Sequence, residues 1–296
     1  MDYLAENVTW LPESAMASFA GEVNWRPVLG HVEEEIKEID GLLARGNAAA
    51  ARKKYLRLWQ VVDRMASGNG IMFKSILTAR IAADLAEFRL DGGNRGVYTG
   101  EGTLLAVPET LPRKLDSSLA AAISLEYVSM KRLMDRDNQT LCGPNVVCPI
   151  NAPWPFGDRV KTVRVIHGRW YALLNLSRVP LSDNEEGLAA YRRAEAKEKS
   201  FSILKNLGGH FFFRNFGVSP DPEIFIYLPQ LAKSRLAVLG YAINAAESGD
   251  YSAVPIDPLT GDLFTVNDQG DFIEIRSEYI RDGELVVDYK IPKGQR

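Results

Sequence analysis

Histidine and cysteine are scarce in this sequence, and their placement removes several classes of site. The 296 residues include three histidines and two cysteines. His31, His167 and His210 lie far apart, so no two of them form the helical pair that binds a metal ion. The cysteines have neither the spacing of a redox motif nor a second Cys or His pair that would complete a zinc site. We therefore predict no metal site and no cofactor.

Strong charge and long apolar runs are also absent. The net charge of −3 provides no basic field, so we predict that nucleic acid is not a partner. No uncharged apolar run reaches the roughly 18 residues of a membrane span, so we predict no transmembrane segment. The first residues, Met1–Asn7, lack the basic and apolar regions of an export signal. Both a cytoplasmic protein and an exported one remain open on these grounds.

Local catalytic motifs are missing as well. The segments Ser202–Lys205, Ser182–Asn184 and Lys161–Val163 match short motifs of penicillin-binding enzymes. Their order along the chain is reversed, and Val163 stands where those enzymes need glycine. We interpret Ser182 or Asn184 as a helix N-cap and predict no catalytic residue.

Apolar residues at helical spacing occupy much of the chain. From His31 to Asp91 they predict three helices, separated by short Gly-containing breaks that favour antiparallel neighbours. Three further helices are predicted at Pro112–Arg136, Asn184–Leu207 and Pro222–Glu247, and Pro229 should kink or delay the last of these. Val163–Leu176 fits a strand and a helix equally well.

The last quarter of the chain changes to the pattern of turns and strands. Asp257-Pro258 opens a turn that Gly261 closes by adopting a positive φ. Two hairpins follow, one turning at Asp268–Asp271 and the other at Asp282-Gly283. The sequence thus predicts a mainly α fold, an antiparallel helical array with a small C-terminal β-hairpin cap.

The expected organisation has four parts. Residues 1–30 form an extended N-terminal segment, and residues 31–137 form a helical region. A Cys-bearing loop and irregular connector covers 138–183, and a helical hairpin with the β cap covers 184–296. From residue 31 onward we predict one continuous domain.

Three groups of residues are candidates for special roles. Cys142 and Cys148, with five residues between them in a Pro- and Gly-rich loop, form either a small-ring disulfide or two unlinked thiols. Glu126 lies at core spacing in the fourth predicted helix, with Arg80 and Asp84 as candidate partners. A buried inter-helix ion pair is the favoured interpretation of this set, and a ligand or catalytic role is the alternative.

Aromatic residues next to helix breaks form the third group. They either contact a partner protein or fold back onto the core. They are Trp154, Phe156, Phe211, Phe212 and Phe213.

Several of these segments together resemble a known group of proteins. The segments are the helix around Leu125-Glu126-Tyr127, the break Lys205–Gly209, the long helix after it, and the turn Pro255–Gly261. They are similar to uncharacterised bacterial envelope proteins that have an N-terminal membrane anchor, a helical body and a P-x-D-P-x-T-G tail. The tail also resembles that of major type II secretion pseudopilins. This chain lacks the anchor and has Asp250–Ala253 in place of the usual Tyr-Pro-x-x-Leu.

The resemblance implies a compartment and a fold. From it we expect a non-catalytic component of the cell envelope or periplasm that binds another envelope protein. Two alternatives stay open: a hydrolase whose active site is assembled from scattered residues, and a helical solute-binding protein. The location has the cytoplasm as its alternative.

Overall fold

The protein is described by a computed structural model, which covers most of the helical body and nearly all of the cap. The residues it describes are 26–67, 72–93, 110–135, 168–169, 171–199 and 222–293. Cys142, Cys148, Trp154, Phe156 and Phe211–Phe213 lie outside these ranges, as do residues 1–25.

Four helices form the first half of the body. They are α1 (Arg26–Ala44), α2 (Ala48–Ser67), α3 (Met72–Gly93) and α4 (Leu111–Asp135). Gly46 ends α1 with a φ of 74°, and the N–H groups of Gly46 and Asn47 donate to the carbonyls of Leu43 and Leu42. The Asn47 side chain then accepts from the N–H of Ala50 and caps α2. This tight connection makes α1 and α2 packed neighbours.

The start of α1 differs from the prediction. The helix begins at Arg26, so residues 26–30 are helical and do not belong to an extended segment. Pro27 explains the difference, because a proline in the first turn loses no helical hydrogen bond and has a φ suited to a helix.

The core is centred on α3 and on a long later helix, α6 (Pro222–Ser248), which contains Pro229. Helix α3 contacts α1, α2, α4 and α6. Small residues on α3 allow α6 to approach closely, and four of them are almost completely buried: Ala79, Ala82, Ala83 and Ala86. Apolar burial of this kind supplies most of the stability of a helical body.

The connector between the two halves is partly helical. The sequence of Val163–Leu176 fits a strand and a helix equally well. In the structure, residues 171–176 of this segment are helical. A 3-10 turn at Leu181–Asn184 then leads into α5 (Glu185–Lys199). The residue before this turn is Pro180, and no side chain caps the turn, so Ser182 is not its N-cap. Asn184 ends the turn and directly precedes α5, and its interpretation as a helix N-cap stays a prediction.

The chain ends in a β cap, as predicted. Strands β1 (Thr265–Asp268), β2 (Phe272–Arg276) and β5 (Asp288–Pro292) form an antiparallel sheet in the order β1-β2-β5. Strands β3 (Ile280–Arg281) and β4 (Glu284–Leu285) form a separate small hairpin. On the buried face, Ile273 pairs with Ile291 and Ile275 with Tyr289, and β5 contacts α3.

The mainly α fold with a small C-terminal β cap is therefore confirmed. The predicted turns are confirmed too, since Gly261, Gly270 and Gly283 all have a positive φ. Within the described ranges, no helix has the length and apolar character needed to cross a membrane.

Candidate functional site in the C-terminal β cap

The turn that begins the cap is built around a completely buried carboxylate, that of Asp257. Its Oδ1 accepts hydrogen bonds from Ser234 Oγ at 2.7 Å and from the Leu259 N–H at 3.0 Å. Its Oδ2 accepts from Ser277 Oγ at 2.5 Å and from Thr260 Oγ1 at 3.4 Å. Four donors from α6, from the turn and from the end of β2 thus converge on one side chain. A buried carboxylate needs such donors, because it has lost its contacts with water.

The backbone of Asp257 closes the same turn. Its carbonyl accepts from the Gly261 N–H at 2.7 Å and the Thr260 N–H at 3.3 Å, and its own N–H donates to the Asp262 carbonyl at 2.7 Å. Gly261 has a φ of 82°, and a Cβ at this position would lie 2.9 Å from Pro180 Cγ. Asp257, Thr260 and Gly261 of the segment Pro-x-Asp-Pro-x-Thr-Gly therefore each have a structural role in this turn.

The connector docks on the same turn. The N–H of Ser182 donates to the Leu259 carbonyl at 3.1 Å, and Ser182 Oγ donates to the Thr260 carbonyl at 2.8 Å. The amide of Asn184 donates to the carbonyls of Leu176 and Val179, both at 3.0 Å. The Ser182–Asn184 segment that matches an enzyme motif consequently holds the connector in place.

A second polar group joins α3, α6 and β5. Arg235 on α6 is 9% exposed, and its Nη2 donates to Glu87 Oε1 at 2.7 Å. Its Nη1 donates to the Ala83 carbonyl at 3.4 Å. Tyr289 on β5 is buried beside it, and this burial raises the pKa of its hydroxyl although Arg235 opposes the shift. The guanidinium therefore connects the long helix to the centre of the body directly beneath the sheet.

Of the predicted ion-pair residues, the structure brings Arg80 and Asp84 together. Arg80 Nε donates to Asp84 Oδ2 at 2.9 Å, one turn apart on α3, and the Arg80 side chain is half exposed. Glu126 belongs to α4, but its side chain lies outside the described part of the chain. Its pairing with Arg80 or Asp84 stays a prediction.

The carboxylates on α3 give the stability a specific pH dependence. Burial raises the pKa of Glu87 above its ordinary value of 4.5, an effect that Arg235 only partly offsets and that Asp91 and Asp84 increase. Burial likewise raises the pKa of Asp84 against the opposing effect of Arg80. A raised pKa means that the folded state binds the proton more tightly than the unfolded state. Their contribution to the free energy of unfolding is therefore largest below the pKa of the unfolded state. It is lost as the pH rises through the pKa of the folded state.

We expect Glu87→Gln to flatten the pH dependence of the stability from about pH 4.5 upward, through the raised pKa of Glu87. Urea denaturation at a series of pH values gives the free energy of unfolding of the wild type and of the variant. The wild-type value minus the variant value should fall as the pH rises. Asp250→Asn is the control of opposite sign, because hydrogen bonds from Ser252 lower the pKa of Asp250. A difference for Glu87→Gln that grows with pH would show that the ion pair with Arg235 outweighs burial.

The surface of the cap exposes large aliphatic side chains in facing pairs. Ile256 and Leu263 lie opposite each other across an antiparallel bridge and are 62% and 61% exposed. Ile280 and Leu285 lie opposite each other in the β3–β4 hairpin and are 61% and 38% exposed. Facing pairs on short strands hold apolar area in a fixed geometry, which suits contact with another protein.

Within the described ranges, no group of three or more His, Cys, Asp or Glu residues is arranged to hold a metal ion. The oxygens of Asp257 are occupied by protein donors, and Glu87 is bonded to Arg235.

The residues that organise the site were not identified as candidates from the sequence. Asp257 was recognised as a turn residue, but its burial and its partners Ser234 and Ser277 were not predicted. The available signal was Ser234 and Arg235, two of the three polar residues in the otherwise apolar stretch from Leu231 to Leu239 of α6. Polar residues inside such a stretch need hydrogen-bond partners from elsewhere in the chain.

Comparison with known proteins identifies no relative of this chain. No protein-family model, no curated protein and no solved structure matches this chain.

Proposed function

We propose that this protein is a non-catalytic component of the bacterial cell envelope that binds another envelope protein through its β cap. The observation that carries the proposal is the facing pair Ile256 and Leu263, both more than half exposed beside a turn that is rigidly held. The envelope assignment rests on the resemblance of the Pro255–Gly261 turn and the helical body to envelope proteins.

The chemistry around Asp257 supports a structural role for this region. Ser234 and Ser277 are both buried and both donate to the Asp257 carboxylate. A general acid or base needs a proton position that substrate can reach, and this carboxylate is completely buried. On its surface the region exposes the aliphatic side chains of Ile256 and Leu263, which are held opposite each other.

The geometry of the exposed pair favours a protein as the ligand. Ile256 and Leu263 form an isolated β-bridge, which is flanked by two backbone hydrogen bonds. The Phe264 N–H donates to the Pro255 carbonyl at 3.2 Å, and the Asp257 N–H donates to the Asp262 carbonyl at 2.7 Å. Aliphatic side chains that are already ordered lose little conformational entropy when a partner covers them. Such residues are suited to act as anchors in an interface.

Site-specific photo-crosslinking in cells that naturally make the protein tests this proposal. A photoreactive residue at Ile256 or Leu263 should trap the same protein in the envelope fraction. The matched control is Tyr171, which is 59% exposed on the helical residues 171–176 and should not trap it. Ile256→Ser combined with Leu263→Ser should reduce capture by about tenfold, as expected for loss of interface anchors.

Three results would contradict the proposal. The first is that neither cap position traps a protein. The second is that Tyr171 traps the same protein equally well. The third is that the trapped protein and this chain both fractionate with the cytoplasm.

A further inference from the structure

Charge is unevenly distributed along this chain. Residues 249–296 contain ten Asp and Glu but five Lys and Arg, a net charge of −5. The whole chain has a net charge of −3, so residues 1–248 carry +2. The cap is therefore acidic and the rest of the chain mildly basic, which gives one molecule two regions of opposite sign.

Two acidic residues of the cap belong to the same hairpin as one of its aliphatic pairs. Ile280 and Leu285 face each other in the β3–β4 hairpin, and Asp282 lies at its tip. Glu284 is paired with Arg281 on the opposite face of the hairpin, because successive side chains of a strand alternate. Both carboxylates are exposed, with the Asp282 side chain at 93%. Arg281 approaches Asp282 to 3.8 Å and places its guanidinium 3.9 Å from the centre of the Tyr227 ring. We call Ile280, Asp282, Glu284 and Leu285 the acidic patch.

A surface of the opposite sign lies on the outer face of α2. Leu56 is 37% exposed there, next to the exposed residues Arg52, Lys53 and Arg57. We call these four residues the basic patch. The helix contains one acidic residue, Asp63, and its Oδ1 accepts from Lys114 Nζ at 2.6 Å.

The acidic residues of α1 are partly engaged elsewhere. Lys54 points away from the basic patch towards α1, where its Nζ donates to Glu35 at 3.0 Å and to Glu38 at 2.8 Å. These two hydrogen bonds raise the pKa of Lys54, Glu38 contributing the larger part. Two carboxylates of α1 are thereby bound to a cation that does not belong to the basic patch.

The two patches match in chemistry and organisation. Each combines exposed aliphatic side chains with a rim of charged ones, and the rims have opposite net signs, with Arg281 offsetting part of the acidic rim. An apolar centre with a polar rim is the usual organisation of a protein interface, and opposite charges speed and orient the encounter. Both rims are solvent-exposed, so their attraction is weakened by salt.

We propose that the acidic patch of one copy of this chain binds the basic patch of a second copy. The two patches are different surfaces of the molecule, so the contact is head-to-tail. Such a contact leaves one patch of each type unused at the ends of a dimer and can propagate to a ring or a filament. It uses residues other than Ile256 and Leu263, so it is independent of the envelope partner proposed above.

Sedimentation velocity of the purified chain over a range of concentrations tests the contact. Association should increase with concentration and should be stronger at about 0.02 M salt than at about 0.5 M, because the longer screening length strengthens the attraction. Asp282→Lys with Glu284→Lys should weaken association by about tenfold, as should Arg52→Glu with Lys53→Glu. Thermal melting of each variant verifies that it folds.

Charge exchange makes the test specific. An equal mixture of the two reversed variants, or one chain carrying all four substitutions, should restore association because each positive patch again meets a negative one. Asp250→Lys with Asp271→Lys makes the same change in net charge elsewhere on the cap and should leave association unchanged. A chain that stays monomeric at low salt, or reversed variants that do not rescue each other, would overturn the proposal. The crosslinking result at Leu263 is unaffected by either outcome.

Discussion

Replacing Asp257 with alanine should lower the free energy of unfolding by about 3 kcal/mol or more. The substitution leaves the hydroxyls of Ser234 and Ser277 and the N–H of Leu259 without their acceptor, and all three of these residues are buried. The loss combines the hydrogen bonds themselves with the cost of donors that water does not reach. Because the donors come from α6, the turn and the end of β2, we expect the whole cap to loosen.

Urea denaturation of the purified chain measures this loss. Asp257→Asn should have a smaller effect, since its side-chain oxygen can still accept from Ser234 and Leu259. Asp262→Ala is the matched control, because this exposed side chain lies in the same turn and should change stability by less than about 0.5 kcal/mol. If Asp257→Ala and Asp262→Ala had equal midpoints, the buried carboxylate would not be the anchor of the cap.

Gly261→Ala should destabilise the protein by about 2 kcal/mol. Two separate costs combine at this position. The φ of 82° is unfavourable for any residue with a Cβ, and the new Cβ would lie 2.9 Å from Pro180 Cγ in the connector. The second cost arises because the ring of Pro180 is constrained and cannot simply rotate away.

Gly270→Ala separates the two costs. Gly270 has a φ of 83°, nearly the same as Gly261, but no atom lies within 4 Å of a Cβ built there. We expect it to pay the backbone cost alone, about 1 kcal/mol, when both variants are compared by thermal melting. Pro180→Ala introduced into the Gly261→Ala chain should recover part of the difference. Equal losses for both glycines would mean that the connector does not pack on the turn.

Much of the fold was predictable because its signals are local. Gly46-Asn47 contains the residues that end α1 and begin α2, and each signal acts within a few residues of itself. The same holds for the turns at Gly261, Gly270 and Gly283, where a positive φ favours glycine. The start of α1 was misplaced because the signal there is Pro27, which is also compatible with extended chain.

The site was less predictable because it is assembled from distant parts of the chain. Ser234 and Ser277 are 23 and 20 residues from Asp257, and Arg235 is 148 residues from Glu87. Helical and strand periodicity indicates which face of an element is buried, but it does not identify the partner on that face. Serine is also common on surfaces, so neither serine stands out in the sequence.

The cap is anchored on α6 by residues that come later in the chain, so α6 cannot be fully packed until they have been synthesised. Ser234 and Arg235 lie in the middle of α6, and their partners include Asp257 and Tyr289, which are synthesised later. Until those residues have left the ribosome, this side of the long helix has neither its acceptor nor its apolar cover. A product that terminates before the cap would leave the apolar side of α6 exposed. Exposed apolar surface of this kind is what chaperones and proteases recognise. The long helix is therefore fully covered only after Asp257 and Tyr289 have been synthesised.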